Sequence, residues 1–133
     1  MTMKYGIVGS RKRNTNEDLR LVYDKFLDIA LRERNAEGEK EYQYGTHQIV
    51  SGGTKYGADR FAEVIAKDNG LPIMVYNADW KALNNSAGPI RNTFIAKDSD
   101  ILLACVSSDR TGGTEDTITK FQKFHPNGEL IIV

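Results

Sequence analysis

Residues 49–60 read Ile-Val-Ser-Gly-Gly-Thr-Lys-Tyr-Gly-Ala-Asp-Arg. The stretch passes from a short apolar strand through a glycine-rich corner into a helical pattern. Glycines at such a corner leave backbone N–H groups bare, and the positive end of the helix dipole adds to their attraction for an anion. The pattern therefore predicts a strand–turn–helix unit with an anion site, most often for phosphate.

Short apolar runs and helical periodicity alternate along the whole chain. Residues 35–46 are polar and charged, and we interpret them as a helix end followed by an exposed connection. Residues 77–86 are interpreted as a loop with one helical turn near Trp80. Five strands are predicted, at residues 5–8, 47–50, 72–76, 101–106 and 129–133. Four helices are predicted between them, at residues 16–33, 56–69, 90–97 and 112–123.

This alternation predicts the fold class. Strands that alternate with helices join through right-handed crossovers into a parallel sheet, which helices cover on both faces. We therefore expect an α/β fold, a Rossmann-like doubly wound sheet of five parallel strands in the order 3-2-1-4-5, in one domain over residues 1–133. Ligands of such sheets bind beyond the carboxyl ends of the strands, near the switch point between strands one and four.

The composition limits the classes of partner. The chain has 18 basic and 18 acidic residues, and a net charge of zero does not favour duplex nucleic acid as a partner. It has no apolar stretch of transmembrane length and no signal-peptide pattern at its start, so we expect a cytoplasmic protein without a membrane partner. The lone Cys105 lies in an apolar run and is predicted to be a packed thiol. Metal-ligand spacings, a Walker A motif and a dinucleotide fingerprint are all absent, so we predict no metal and no cofactor.

Small, hydroxyl-bearing and basic residues concentrate at the predicted carboxyl edge. Arg11 offers a guanidinium suited to bidentate phosphate contact, and Arg91 is a candidate for binding an anion or stabilising developing charge. Asp59 has two interpretations, as a helix N-terminal charge or as a group that holds a ribose hydroxyl or orients an arginine. Trp80 is either a lid over a base or a buried core anchor for its loop. The predicted ligand-binding residues are Gly9, Ser10, Arg11, Ser51, Gly52, Gly53, Gly57, Asp59, Asp79, Trp80, Arg91, Asn92, Gly112, Gly113 and Thr114.

Taken in order, these motifs resemble a known family, the YspA-like branch of the SLOG superfamily. That superfamily also contains the DNA-processing protein DprA and the lonely-guy phosphoribohydrolases. The resemblance implies a Rossmann-like domain that binds a nucleotide or nucleotide-derived ligand at the carboxyl edge, and a homodimer, since many relatives are dimers. The motifs that carry it are Gly9-Ser10-Arg11, Val50-Ser51-Gly52-Gly53, Gly57-Ala58-Asp59-Arg60, Asp79-Trp80, Ala87-Gly88-Pro89-Ile90-Arg91-Asn92 and Gly113-Thr114.

The chain departs from the lonely-guy pattern at a catalytic position. Those enzymes cleave the N-glycosidic bond of a nucleoside monophosphate, and Arg91 looks like the counterpart of their arginine. Thr117, however, stands where the family has its catalytic glutamate. A carboxylate is the obvious group to stabilise a cationic sugar or to activate water. The candidates for a catalytic role in this chain are Arg91, Asp59, Asp116 and Glu115.

The leading hypothesis is therefore the binding, for sensing or sequestration, of a small nucleotide or a nucleotide-derived ligand such as an ADP-ribose-like molecule. One alternative is a nucleoside 5′-monophosphate N-glycosidase that uses one of these carboxylates. A second alternative is single-stranded DNA binding, by analogy with DprA. The net charge of zero argues against it, because grooves that track phosphates have a basic surface.

Overall fold

The computed structural model of the chain describes residues 3–37 and 47–133. The predicted helical turn near Trp80 is present as a short helix, and the part of the predicted connection at residues 38–46 lies outside the described residues. The strands are β1 (Met3–Gly9), β2 (His47–Ser51), β3 (Ile73–Val75), β4 (Ile101–Cys105) and β5 (Glu129–Ile132). The helices are α1 (Asn16–Glu37), α2 (Ala58–Asn69), α3 (Trp80–Leu83), α4 (Ala87–Asp98) and α5 (Gly113–Phe124), with a 3₁₀ turn at Asn84–Ser86.

The five strands form one sheet in the order β3-β2-β1-β4-β5, and every neighbouring pair is parallel. This confirms the predicted Rossmann-like α/β fold. The central strand β1 pairs with both β2 and β4, so that Tyr5 lies opposite Ile49 on one side and Ile101 on the other. Because the strand order reverses between β1 and β4, a crevice opens beyond the carboxyl ends of these two strands.

Helices pack on both faces of the sheet. Successive residues of a strand point to opposite faces, and in β1 this places Ile7 with the core under α1 and α2, and Val8 with the core under α4 and α5. In β4, Leu103 and Leu102 divide between the same two cores. Both faces of β1 and β4 are thus buried, and this explains why the apolar run that predicted each strand is unbroken.

Two helix starts fit the local sequence. Thr15 and Asp18 form a capping box at the start of α1: the Asp18 N–H donates to the Thr15 hydroxyl at 3.0 Å, and the Thr15 N–H donates to the Asp18 carboxylate at 3.3 Å. Pro89 lies in the first turn of α4, where a missing N–H leaves no helical hydrogen bond unmade. Among the described helices, none combines the length and the apolar character that a membrane span requires.

Candidate functional site

A cavity of about 640 Å³ opens at the carboxyl edge of the sheet. Its wall is built from the loops that follow β1, β2 and β4, together with α3 and the first turns of α4 and α5. Ligand pockets generally have volumes of about 300–1,000 Å³, so this one suits a small molecule of nucleotide size. The predicted ligand residues that line it are Gly9, Ser10, Arg11, Gly52, Asp59, Trp80, Arg91, Asn92, Gly112, Gly113 and Thr114.

Four other predicted ligand residues do not line the cavity and have structural roles instead. Ser51 is fully buried at the end of β2. Gly53 has a φ of +78°, and a side chain there would collide with the loop after β3. Gly57 donates its N–H to a side chain of the loop after β1. The Asp79 carboxylate caps α3 by accepting the Ala82 N–H at 3.0 Å.

The glycine corner after β2 already holds an anion, the carboxylate of Asp59. One Asp59 oxygen accepts the Gly52 N–H at 3.1 Å and the Ser51 hydroxyl at 3.3 Å. The other oxygen accepts the Thr54 N–H at 3.1 Å and the Thr54 hydroxyl at 2.8 Å. The expectation of bare amides at this corner is therefore wrong for Gly52, because Asp59 reaches back from the first turn of α2 and occupies them. Each oxygen of Asp59 accepts two hydrogen bonds. Asp59 therefore holds the glycine corner in place and has no unbonded oxygen for a catalytic role.

The corner before α5, whose Gly112, Gly113 and Thr114 were also predicted to bind the ligand, does have bare amides. The N–H groups of Gly112, Gly113 and Thr114 donate to no other group in the described part of the chain, and no side chain caps α5. All three residues line the cavity. Gly112 has a φ of +99°, a backbone conformation that glycine adopts readily. Successive bare amides at such a turn form an anion-binding concavity. This corner is the one that can accept an anion.

Hydrogen bonds to Asp109 stabilise the loop between β4 and the α5 corner. The Asp109 carboxylate accepts hydrogen bonds from the Ser107 hydroxyl at 2.6 Å, the Thr111 hydroxyl at 2.9 Å and the Lys12 ammonium at 3.1 Å. The Ser107 and Lys12 contacts are the main causes that lower the pKa of the Asp109 carboxyl, so it stays ionised at neutral pH. Lys12 thereby connects the loop after β1 to the loop after β4 across the mouth of the cavity.

The basic residues after β1 differ in what they contact. Arg13 is a structural residue: it pairs with Asp18 at 2.9 Å and donates to the backbone carbonyls of Val106 at 3.0 Å and Val133 at 2.7 Å. Arg11 is exposed, lines the cavity and makes no hydrogen bond or ion pair within the described residues. Of the two guanidinium groups in this loop, that of Arg11 therefore remains available to a ligand.

Arg91 and Asn92, at the start of α4, connect the two corners. Arg91 donates to the Gly52 carbonyl and to the Asn92 side-chain oxygen, both at 3.0 Å. Asn92 is buried and donates to the Gly113 carbonyl and to the Asp116 carboxylate, both at 3.2 Å. A guanidinium has five N–H donors, so Arg91 keeps donors for a ligand in the cavity.

The three candidate acids have different surroundings. Glu115 pairs with Arg110 at 2.9 Å and is not part of the cavity wall. Asp59 is held by the glycine corner. Asp116 lines the cavity, and one of its oxygens accepts from the Lys120 ammonium at 2.8 Å. Lys120 was not among the predicted site residues, although its spacing of four residues from Asp116 on a helix was the available signal.

Two further residues of the cavity wall are Thr117, at the position of the lonely-guy glutamate, and Trp80. Thr117 is buried and its hydroxyl donates to the Gly113 carbonyl at 3.2 Å, so no carboxylate occupies that place. Trp80 is 54% exposed at the mouth of the cavity, with its ring against Gly88. The interpretation of Trp80 as a buried anchor is therefore wrong, and its ring is available to cover a ligand.

Cys105 lies at the end of β4 and is buried, as the sequence predicted. Burial raises the pKa of its thiol to about 11. This raised pKa alone lowers the thiolate fraction at pH 8 by about 100-fold relative to an ordinary cysteine, and only the thiolate is nucleophilic.

We expect a thiol reagent at pH 8 to label Cys105 in the native protein at least about 100-fold more slowly than in the protein unfolded in guanidinium. Rapid stoichiometric labelling of the native protein would contradict this.

Among the residues that the structure describes, no group of three or more His, Cys, Asp or Glu side chains is arranged to hold a metal ion. The cavity wall offers backbone amides, arginines, hydroxyl groups, an aromatic ring and the carboxylates of Asp59 and Asp116. Comparison of the chain with protein-family models, with curated proteins and with solved structures finds no significant similarity.

Proposed function

We propose that the chain binds a nucleotide or a nucleotide-derived ligand, for sensing or sequestration, in the cavity at the carboxyl edge. One observation carries this proposal: Gly112, Gly113 and Thr114, whose N–H groups are bare, line the same cavity as Arg11, whose guanidinium has no partner among the described residues. Backbone N–H groups at a helix start, combined with an arginine, are a typical phosphate site. A phosphate group is thus the part of the ligand that this corner would bind.

The rest of the cavity supports a ligand with a polar and an aromatic part. Trp80 offers an exposed ring at the mouth, and stacking of a base on such a ring is favourable by about 1–3 kcal/mol. The Asp59 carboxylate at the glycine corner disfavours a second anion on that side. The ligand would therefore place its phosphate at α5 and its base toward Trp80.

The resemblance to the SLOG superfamily supports the same proposal, and we propose that the chain is a member. The residues that carry the resemblance and also line the cavity include Arg11, Arg91 and Gly113. Thr117 in place of the catalytic glutamate of the lonely-guy enzymes favours binding over cleavage, since a hydroxyl has no negative charge to stabilise a cationic sugar and this one is bonded to the backbone.

Isothermal titration calorimetry with AMP, ADP, ADP-ribose and inorganic phosphate tests the proposal. We expect at least one of the nucleotides to bind, and Arg11→Ala to weaken that binding by about 10-fold, because a charge-assisted hydrogen bond is lost at a partly solvated site. Arg20→Ala is the matched control, since Arg20 lies on α1 with a side chain that is 83% exposed and the change in net charge is the same. That variant should bind as the unmodified protein does.

Two results would count against the proposal. Binding of none of these ligands, or equal weakening by Arg11→Ala and Arg20→Ala, would remove its basis. Chromatography of the nucleotides after incubation decides the enzymatic alternative: intact nucleotide supports a binding protein, whereas release of free base would assign an N-glycosidase.

A further inference from the structure

The wall of the cavity carries a carboxylate oxygen without a partner in the described part of the chain. It belongs to Asp116, whose other oxygen accepts from the Lys120 ammonium at 2.8 Å and from the Asn92 amide at 3.2 Å. No described residue donates to the second oxygen. The carboxylate therefore keeps acceptor capacity for a group that enters the cavity.

The Asp116 carboxylate is held in place from two sides. Lys120 also donates to the Pro89 carbonyl at 2.7 Å, which fixes its ammonium between α4 and α5. Asn92 is buried and bonded at the same time to the Gly113 carbonyl. An acceptor that is fixed before the ligand arrives loses little side-chain entropy on binding, so it can discriminate between ligands that do and do not offer a donor.

The surroundings of Asp116 select the kind of donor. A carboxylate in an ion pair only accepts hydrogen bonds, so the ligand must supply an N–H or O–H group. The neighbouring cations Lys120 and Arg91 oppose a positively charged donor, which leaves a neutral one. Asp116 follows Gly113 by three residues, which is about 4.5 Å along the helix axis. The ligand group that donates to Asp116 therefore lies close to any phosphate bound at the bare amides. The hydroxyls of a sugar phosphate are neutral donors at that kind of separation, whereas the amino groups of a base are farther away.

We propose that Asp116 accepts a hydrogen bond from a sugar hydroxyl of the ligand, which makes the cavity selective for ribosyl phosphates over deoxyribosyl phosphates. The inference rests on the proposed function, since it requires the phosphate to bind at the start of α5. It assigns Asp116 to ligand selection, a role that differs from that of a catalytic acid.

Calorimetric titration with AMP, 2′-deoxy-AMP and 3′-deoxy-AMP tests the inference. The unmodified protein should bind AMP about 10-fold or more tightly than at least one of the deoxy ligands, as expected for one hydrogen bond to a charged acceptor. Asp116→Ala should bring that ratio close to one. Asp116→Asn keeps the shape and an acceptor oxygen but loses the charge, so its ratio should be intermediate. Because removal of a negative charge strengthens the attraction for every phosphate ligand, the ratio is the informative quantity and not the affinity.

The control is Glu63→Ala, which removes one negative charge from an exposed position on α2 that is not part of the cavity wall. It should leave the ratio unchanged. Equal affinity of the unmodified protein for all three ligands, or an unchanged ratio in both Asp116 variants, would overturn the role of Asp116. If binding in that case still depends on Arg11, the proposed function stands. Absence of binding to any of the three ligands would overturn both.

Discussion

Replacement of Gly113 by proline is expected to weaken nucleotide binding by about 100-fold while the protein stays folded. Gly113 is the first residue of α5 and lines the cavity, and its N–H donates to no other group among the described residues. Proline has no N–H, so one hydrogen bond to the phosphate is lost. A hydrogen bond to a charged group contributes about 1.5–3 kcal/mol, and the proline ring also occupies space where the phosphate would lie.

The helix should tolerate this substitution. Proline is over-represented at the first position of helices because its fixed φ suits that position and no helical hydrogen bond is lost. Proline disfavours the α region for the residue before it, and Gly112 lies outside that region with a ψ of −165°. A Cβ atom at Gly113 would meet the Asn92 side chain at 3.6 Å, an ordinary contact distance. The melting temperature of Gly113→Pro should therefore remain close to that of the unmodified protein.

Gly113→Ala is the matched control for the proline variant. It adds the same Cβ atom but retains the N–H, so we expect its affinity for the nucleotide to stay within about threefold of the unmodified value. Calorimetry with the best nucleotide and with inorganic phosphate compares the three proteins. If the proline and alanine variants bind equally well, the amide of Gly113 is not a ligand donor and the phosphate binds elsewhere.

The fold was predictable from the sequence because its determinants are local and repeated. The apolar run at residues 101–106 predicts a strand that is buried on both faces, and its neighbours in the chain have helical periodicity. With right-handed crossovers as the rule, this alternation leaves few strand orders, and the observed order is the expected one. The same topology places the loops after β1, β2 and β4 at one edge, which is why Arg11 and Gly113 were both expected in one cavity.

The hydrogen-bond partners within the site were not predictable in the same way. The corners at Gly52 and Gly113 have similar sequences, with glycines that lead into a helix. They differ in the second residue of the helix, which is Asp59 in α2 and Thr114 in α5. Only the three-dimensional structure shows that the Asp59 side chain turns back onto its own corner, since a carboxylate in a first helical turn can equally point into solvent.

Replacement of Gly9 by alanine is expected to lower the free energy of unfolding by about 3 kcal/mol, although Gly9 lies on the cavity wall. A Cβ atom there would be 2.7 Å from the Cys105 carbonyl oxygen and 2.8 Å from the Ala58 Cβ atom. These distances are far below van der Waals contact. Both neighbours belong to packed elements, because Cys105 is paired with Gly9 in the sheet and Ala58 begins α2. Neither can move without disturbing the core.

Urea unfolding monitored by circular dichroism measures this effect, with Gly113→Ala as a control in which the added Cβ atom has room. The control should change the free energy of unfolding by less than about 1 kcal/mol, since alanine is the better helix former. If Gly9→Ala is as stable as the control, β1 and α2 can separate slightly, and the close approach is not required. If it is destabilised as expected but still binds the nucleotide under native conditions, then Gly9 serves the packing of α2 against the sheet. The glycine of the Gly9-Ser10-Arg11 motif would then position the arginine without contacting the ligand itself.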